Sequence, residues 1–384
     1  MKKSNGHPVL SAFWLLAVIT LAYGLVIFFL VVEETYTILV TLVVILFLGY
    51  FVRRVQSLQR WLQSLVEAHK RLAIGWILFL LILLPILLGS NPYVIHIVFS
   101  AGLYAILALG LNFQLGSTNV VNFATAASYG IGAYTSALLA VHLGWSFWIV
   151  LPISGIVSAF FGFLLGLPTM KTKTYYLSLV TIAFGLIVYL FLNNLSWTGG
   201  PNGIGGIPFP SIGSFSLGSS WTLFGLTIPF QANFYYLTLI LLILSYVVAQ
   251  RIHDSKVGLA WNAIRNDEIA AECQGIDVTR NKIMAFCVDA FFGGVAGTVY
   301  AFNVSFISPE NFTFMVSVTV VTMVIVGGMD NVPGVIFGAL LMTLIPEKFQ
   351  AFQSYRLWLF GLIILLMLFL QPKGLFPQKI RRYE

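Results

Sequence analysis

Apolar runs close to the 20 or so residues that a helix needs to cross a bilayer recur along this chain, separated by short polar intervals. They fall near residues 9–32, 36–52, 72–90, 92–115, 120–143, 145–167, 176–194, 233–250, 282–304, 314–329, 332–346 and 357–371. The pattern predicts an all-α, polytopic integral membrane helical bundle with about 10 to 12 spans. Glycine and polar residues interrupt the fifth, tenth and eleventh runs. Half-helices or re-entrant segments are expected there, since freed backbone at membrane depth must be covered by protein or line a cavity.

Three polar intervals are longer than turns. Residues 53–71 carry Val55, Leu58, Trp61, Leu62 and Leu65 near helical spacing among basic residues. That spacing predicts an amphipathic helix, either a connector lying in the lipid interface or a docking surface. Residues 195–232 have no charged residue and are rich in Gly, Pro, Ser and aromatics, whereas 251–282 form the most polar segment of the chain. Two units follow. An N-terminal extension, 1–71, holds two predicted membrane helices and the basic amphipathic linker; a core spans 72–384.

Basic residues set the orientation. Threading twelve spans from a cytosolic N-terminus leaves only Lys348 and Arg356 outside, so 20 − 2 = 18 of the 20 basic residues lie on one side. The positive-inside rule makes that side the cytosol. The chain is then a multi-pass protein of a bacterial inner membrane with both termini cytoplasmic, the 251–282 loop inside and the 195–232 loop outside.

Composition agrees, with 59% hydrophobic and only 9% charged residues against roughly 25% charged in a soluble domain. A net charge of +7 suggests nucleic acid at first sight, but topology accounts for it and no nucleic-acid partner is expected. Lys2 and Lys3 precede an apolar run too long for a signal peptide and without a small-residue cleavage site, so a retained helix is expected. Cys273 and Cys287 lack metal or C-x-x-C spacing and read as reduced structural thiols.

Catalytic signatures are missing. The sequence has no G-x-x-x-x-G-K-[ST] loop, no G-x-S-x-G elbow and no H-E-x-x-H, and its five histidines are scattered. No cofactor, metal site or ATPase site of the usual kind is expected. In the 256–282 segment Leu259, Ala263 and Ile264 mark one short amphipathic helix. Asn266 is a candidate N-cap for a second, beginning with Asp267 and Glu268 and closed by Gly275. Such a pair is either a capped connector or a rigid projection that passes a partner's motion into the flanking helices.

Polar residues inside spans are functional candidates by default. Asp289 in the 282–304 run costs about 2.5 to 3.5 kcal/mol to insert if ionised. It is either a contact for a substrate amine or proton, or a hydrogen-bonded group beside Gly293 and Gly297. Asn112, Asn119, Asn122, Thr125 and Ser128 surround an expected break at Gly116, where exposed backbone dipoles suit a zwitterion. These five and Asp289 form the candidate pathway lining.

The order Ile264-Arg265-x-Asp267-Glu268-x-Ala270-Ala271-x-x-x-Gly275, running on to Lys282, resembles the coupling loop of branched-chain amino acid type ABC transporter permeases. Tyr129 to Leu139, Leu167 to Gly185, Thr198 to Ile204, Phe306 to Phe314 and Pro372 to Leu375 are similar to other stretches of that family, in the same order. The resemblance implies a permease that translocates a small solute, first of all branched-chain amino acids, with other neutral amino acids, urea or short amides as alternatives. It implies as partners a second homologous permease, two cytosolic ATP-binding subunits that hydrolyse the ATP, an extracytoplasmic solute-binding protein, and the membrane lipid around the permeases. Arg265, Asp267, Glu268, Ala270, Ala271 and Gly275 would then engage the ATPase. The external loop with Gly199, Gly200, Pro201, Asn202 and Gly203 would dock the binding protein.

The sequence departs from the family pattern at Ala124-Thr125, at Ser128, at Asp289, which stands at a position usually uncharged, and at Asp330, where glycine is common. A stand-alone secondary transporter would need its own ion-coupling residues, for which Asp289 and Asp330 are the only candidates. A membrane-embedded enzyme would need a reactive cluster at one depth.

Overall fold

The computed structural model describes residues 8–348 except 33, 89–90, 171–173, 214 and 224–225, together with 358, 361–362, 365, 369 and 374–376. Fourteen α-helices with defined bounds carry the described fold: α1 (Pro8–Val31), α2 (Thr35–Arg54), α3 (Gln56–Ala68), α4 (Lys70–Leu87), α5 (Pro92–Leu111), α6 (Thr125–Leu143), α7 (Phe147–Gly166), α8 (Thr174–Asn194), α9 (Phe230–His253), α10 (Lys256–Asn266), α11 (Glu268–Cys273), α12 (Val278–Val304), α13 (Phe314–Gly327) and α14 (Val332–Lys348). Among the described residues strands are confined to two- and three-residue pairs: β1 (Ile204–Gly205) with β6 (Phe306–Ile307), β2 (Ser211–Ile212) with β3 (Phe215–Ser216), and β4 (Trp221–Leu223) with β5 (Leu226–Ile228).

Among the described residues, eight segments are long and apolar enough to cross a membrane, including Pro92–Ser117, Val278–Val304 and Pro309–Gly327. That is fewer than the twelve runs of the sequence. The eleventh run yields α14, only 17 residues long. The fifth yields α6, which carries Thr, Ser and Gly along much of its length. The twelfth, 357–371, lies largely outside the described residues.

Helix α5 is the axis of the bundle, buried along most of its length and packed against α9, α12, α13 and α14. Beside it, α6, α7 and α12 form a three-helix unit held by close backbone approach. A Cβ on Gly294 would lie 2.7 Å from the Ser154 carbonyl oxygen, and one on Gly293 would lie 2.9 Å from the Ser128 Cβ. Small residues at a crossing let membrane helices meet at backbone distance, where dispersion supplies the attraction that the hydrophobic effect does not supply in lipid. Ser154 and Thr298 hydrogen-bond across the same crossing.

The N-terminal helices attach to this core through α4 and through the end of α1, whose Leu30 clusters with Val94, Ile95 and Tyr235. Pro85 has no N–H, which leaves the Leu81 carbonyl without its helical donor. Tyr235 of α9 donates its hydroxyl to that oxygen at 2.8 Å, and Tyr236 donates to the next carbonyl, Ile82, at 2.9 Å. The amphipathic helix expected in 53–71 is α3, whose Leu65 packs inward with Leu15 and Ala73 while Trp61 faces outward.

Besides the contacts inside the bundle, long-range polar contacts gather at its two ends. One end joins Ser11 to His69, Arg265 to Asp330, and Glu268 to Lys282. The other joins Lys348 to the Val32 carbonyl, Tyr93 to Glu347, Trp148 to the Ser211 carbonyl, and Tyr189 to Glu310. Each pair unites residues that the charge-based threading places on the same side.

Candidate functional site

At the first end, α10 and α11 form a cornered projection between α9 and α12. Ser255 caps α10, its Oγ accepting from the Val257 and Gly258 N–H groups. Trp261 fixes the helix on its inner face: the ring is fully buried 5.4 Å from that of Phe113, and its Nε1 donates to the Asn281 carbonyl at 2.9 Å. The cap of α11 differs from expectation. Asp267, not Asn266, is the N-cap, its Oδ1 accepting from Ile269 and Ala270 at 2.9 and 3.0 Å. Asn266 ends α10 and turns its amide back to the Asn262 carbonyl.

The far end of α11 is a Schellman turn, with Ile276 N–H bonded to the Ala271 carbonyl and Gly275 N–H to the Glu272 carbonyl. Gly275 supplies the left-handed residue (φ +80°) and has open space around its Cα. The two alanines do not share a face: Ala270 is exposed, whereas Ala271 is buried against its own chain. Ile269 takes the outward place with 76% of its surface exposed. Glu268 pairs with Lys282 at 2.7 Å, and Arg265 Nη1 lies 3.5 Å from Asp330 Oδ2.

The interior site is built on the interruption between α5 and α6. The expected break at Gly116 is displaced. Residues Asn112–Ser117 continue α5 as a π-helical turn, and the chain leaves the helix only at 118–124. Helix α6 then starts beside Ser128–Gly293, at the level of Asp289. Asp289 lies eleven residues beyond Val278, the start of α12, or about 16 Å along a helix rising 1.5 Å per residue.

Of the six expected lining residues the structure brings Asn122 and Asp289 into contact and sets Thr125 and Ser128 on the adjoining first turn of α6. Asn122 Nδ2 donates to Asp289 Oδ2 at 2.8 Å, while its own Oδ1 accepts from Ala124 N–H. Asp289 is 1% exposed, and its Oδ1, beside Gly110 of α5, has no hydrogen-bond partner. The Thr125 hydroxyl, fully buried, also lacks one. The Ser128 carbonyl accepts from Ser158 of α7.

Asn112 and Asn119 stand apart from this group. Asn112 Oδ1 accepts the Asp330 N–H at 2.8 Å, toward the projection end. Asn119 is exposed and occupies a left-handed position (φ +56°) that its short side chain tolerates. Sequence reasoning passed over Gln114, which is fully buried in the π-helical turn with neither amide atom partnered. A glutamine within an apolar span was its available signal. Ser317 and Thr181, which receive the Ala126 and Phe123 N–H groups, were missed for the same reason.

At the opposite end the uncharged loop is tightly turned. Gly199, Gly200 and Gly203 all have positive φ, Pro201 and Asn202 are exposed between them, and the β1–β6 pair ties the loop to the end of α12. Trp197, Ile212 and Phe215 face outward.

Residues 93–371 match the family described as branched-chain amino acid transport system / permease component. The chain is 39% identical over 288 residues to the high-affinity branched-chain amino acid transport system permease protein LivM of Salmonella typhimurium, covering 72% of this chain and 68% of that one. It is 40% identical over 290 residues to LivM of Escherichia coli, with the same coverage of each. LivH of Escherichia coli, named as a permease of such a system, is 23% identical over 287 residues, covering 71% of this chain and 90% of its own. No solved structure matches.

Proposed function

The chain belongs to the branched-chain amino acid transport system permease family, and from that premise we propose that it is the membrane-spanning subunit of an ATP-binding-cassette importer for branched-chain amino acids. The observation that carries the coupling assignment is the α10–α11 projection. It is rigidly capped at both ends, anchored inward by Trp261, and presents Ile269 and Ala270 to solvent. Such an element suits a groove on a cytosolic ATPase, so this end of the bundle is cytoplasmic and lies in the inner membrane's inner face. ATP is hydrolysed by two partner subunits. Arg265, Asp267, Glu268, Ala271 and Gly275 shape the projection, while Ile269 and Ala270 touch the partner.

A second, homologous permease completes the pathway, and a solute-binding protein docks on the opposite face around Gly199, Gly200, Pro201, Asn202 and Gly203. Within the membrane, Asn122, Thr125, Ser128 and Asp289 receive the solute, and the unpartnered Asp289 Oδ1 suits its ammonium group. Alternating access follows if ATP-driven closure of the ATPases favours one arrangement of the projections over the other.

Ile269→Asp tests the assignment. It places a charge on an exposed position, so the permease still folds, but the ATPases no longer co-purify and uptake stops. Retention of the ATPases with full uptake would remove the coupling role.

A further inference from the structure

Asp330 combines features that rarely coincide. It is 1% exposed, it has a left-handed backbone (φ +65°), and it is the second of two residues after Gly328 in the turn between α13 and α14. A glycine would hold that backbone without strain, so the carboxylate has to be explained by what it touches. Its Oδ1 accepts from Ser117 Oγ at 2.6 Å, its N–H donates to Asn112 Oδ1 at 2.8 Å, and its Oδ2 faces Arg265 at 3.5 Å. His253 Nε2, at the end of α9, lies 3.7 Å from Oδ1.

Asn112 and Ser117 are the first and last residues of the π-helical turn. One residue therefore grips both ends of the interruption and at the same time reaches the projection. The turn that carries it is braced from behind: Leu375 and Phe376 N–H groups bond to the Val326 and Gly327 carbonyls, and Asn331 bonds to the Phe376 carbonyl. On the π-helical side there is no slack, since a Cβ on Gly116 would lie 3.0 Å from Asp330 Cα. The Arg265 contact is longer than either hydrogen bond to the π-helical turn and depends on a partly exposed side chain. It is the joint that a shift of α10 would open first.

We propose that Asp330 is a positioning residue, a latch through which the α10–α11 projection holds the π-helical interruption between α5 and α6 in the arrangement seen here. Trp261 against Phe113 is a second strut between the same two elements. Displacing α10 breaks the Arg265–Asp330 pair, frees Ser117 and Asn112 to reset, and lets the π-helical turn, a form that α-helices adopt mostly at functional sites, move the segment that carries Asn122 toward or away from Asp289. The proposal rests on the coupling role of the projection.

The test uses the complete transporter in proteoliposomes, with ATP hydrolysis and leucine uptake measured together for wild type, Asp330→Asn, Arg265→Met and the double variant. Asp330→Asn keeps an acceptor for Ser117 and tolerates the left-handed backbone, but it loses the ion pair. Hydrolysis without binding protein is expected to rise by about fivefold or more, as for a typical coupling between sites, with uptake per ATP falling by a similar factor. The double variant should match either single one, since both remove one contact. A ratio of uptake to hydrolysis that stays at the wild-type value in an assembled complex, or effects that multiply in the double variant, would overturn the latch alone. A wild-type permease that retains no ATPase would overturn the coupling role and the latch with it.

Discussion

Replacing Asn122 separates the packing role of the interior pair from its transport role. Its amide supplies the one hydrogen bond to Asp289 Oδ2, at 2.8 Å in a buried site. Asn122→Leu leaves both carboxylate oxygens without a donor. A hydrogen bond to a charged group contributes about 1.5 to 3 kcal/mol, so the variant should lose roughly that much stability. Adding Asp289→Leu should return most of the loss, because a buried polar pair replaced by apolar residues of similar size is close to neutral. Thermal unfolding of the four proteins in detergent gives the cycle. For transport the informative change is Asp289→Asn, which preserves shape and a bond to Asn122 but removes the charge offered to an ammonium group. Loss of about 1.5 to 3 kcal/mol of solute contact is roughly a 10- to 150-fold rise in KM. A wild-type KM in Asp289→Asn, with the stability cycle as described, would show that the pair only packs α12 against the 118–124 segment and would refute the pathway assignment.

Four further outcomes follow from the geometry. Tyr235→Phe should destabilise by about 1 kcal/mol through the uncapped Leu81 carbonyl, and Pro85→Ala should abolish that cost by restoring the helical donor, as read by thermal unfolding of the double variant. Gly275→Ala meets no atoms but forces a left-handed backbone on alanine, so it should cost about 1 kcal/mol while the ATPases still co-purify. An impermeant thiol reagent should label exposed Cys273 only from the cytoplasmic side, and Ser219→Cys in a Cys273→Ser background only from outside; labelling of both in intact cells would reject the orientation. Trp197→Ala, at an outward-facing position of the uncharged loop, should weaken uptake with the complex intact, and unchanged uptake at limiting binding protein would argue that this face docks nothing.

Much of the bundle was legible because the bilayer imposes a length and a polarity on each span. The corner at 256–276 was legible from the apolar spacing of its first helix and from Gly275 at the end of its second, although Ser255 was passed over as the first cap and Asp267 displaced Asn266 as the second: the aspartate lies directly before the α11 amides, whereas Asn266 still belongs to α10. The interior was legible in part. Asn122 and Asp289 are 167 residues apart, and only the packing of α6 on α12 makes them neighbours. Asn112 resembled a lining residue but serves Asp330, because the π-helical turn rotates it toward the α13–α14 connection. Consecutive alanines on a helix point about 100° apart, and so Ala270 is exposed while Ala271 packs against its own chain.

We propose that this chain moves a branched-chain amino acid only when ATP is hydrolysed on partner subunits. Uptake of labelled leucine into proteoliposomes holding the permease pair and the ATPases, with binding protein outside the vesicles and ATP inside, tests it most directly. Accumulation is expected to require ATP, the binding protein and both ATPase subunits, and to cease with Ile269→Asp in this chain. Accumulation by this chain without ATPases, driven by a proton or sodium gradient, would contradict it.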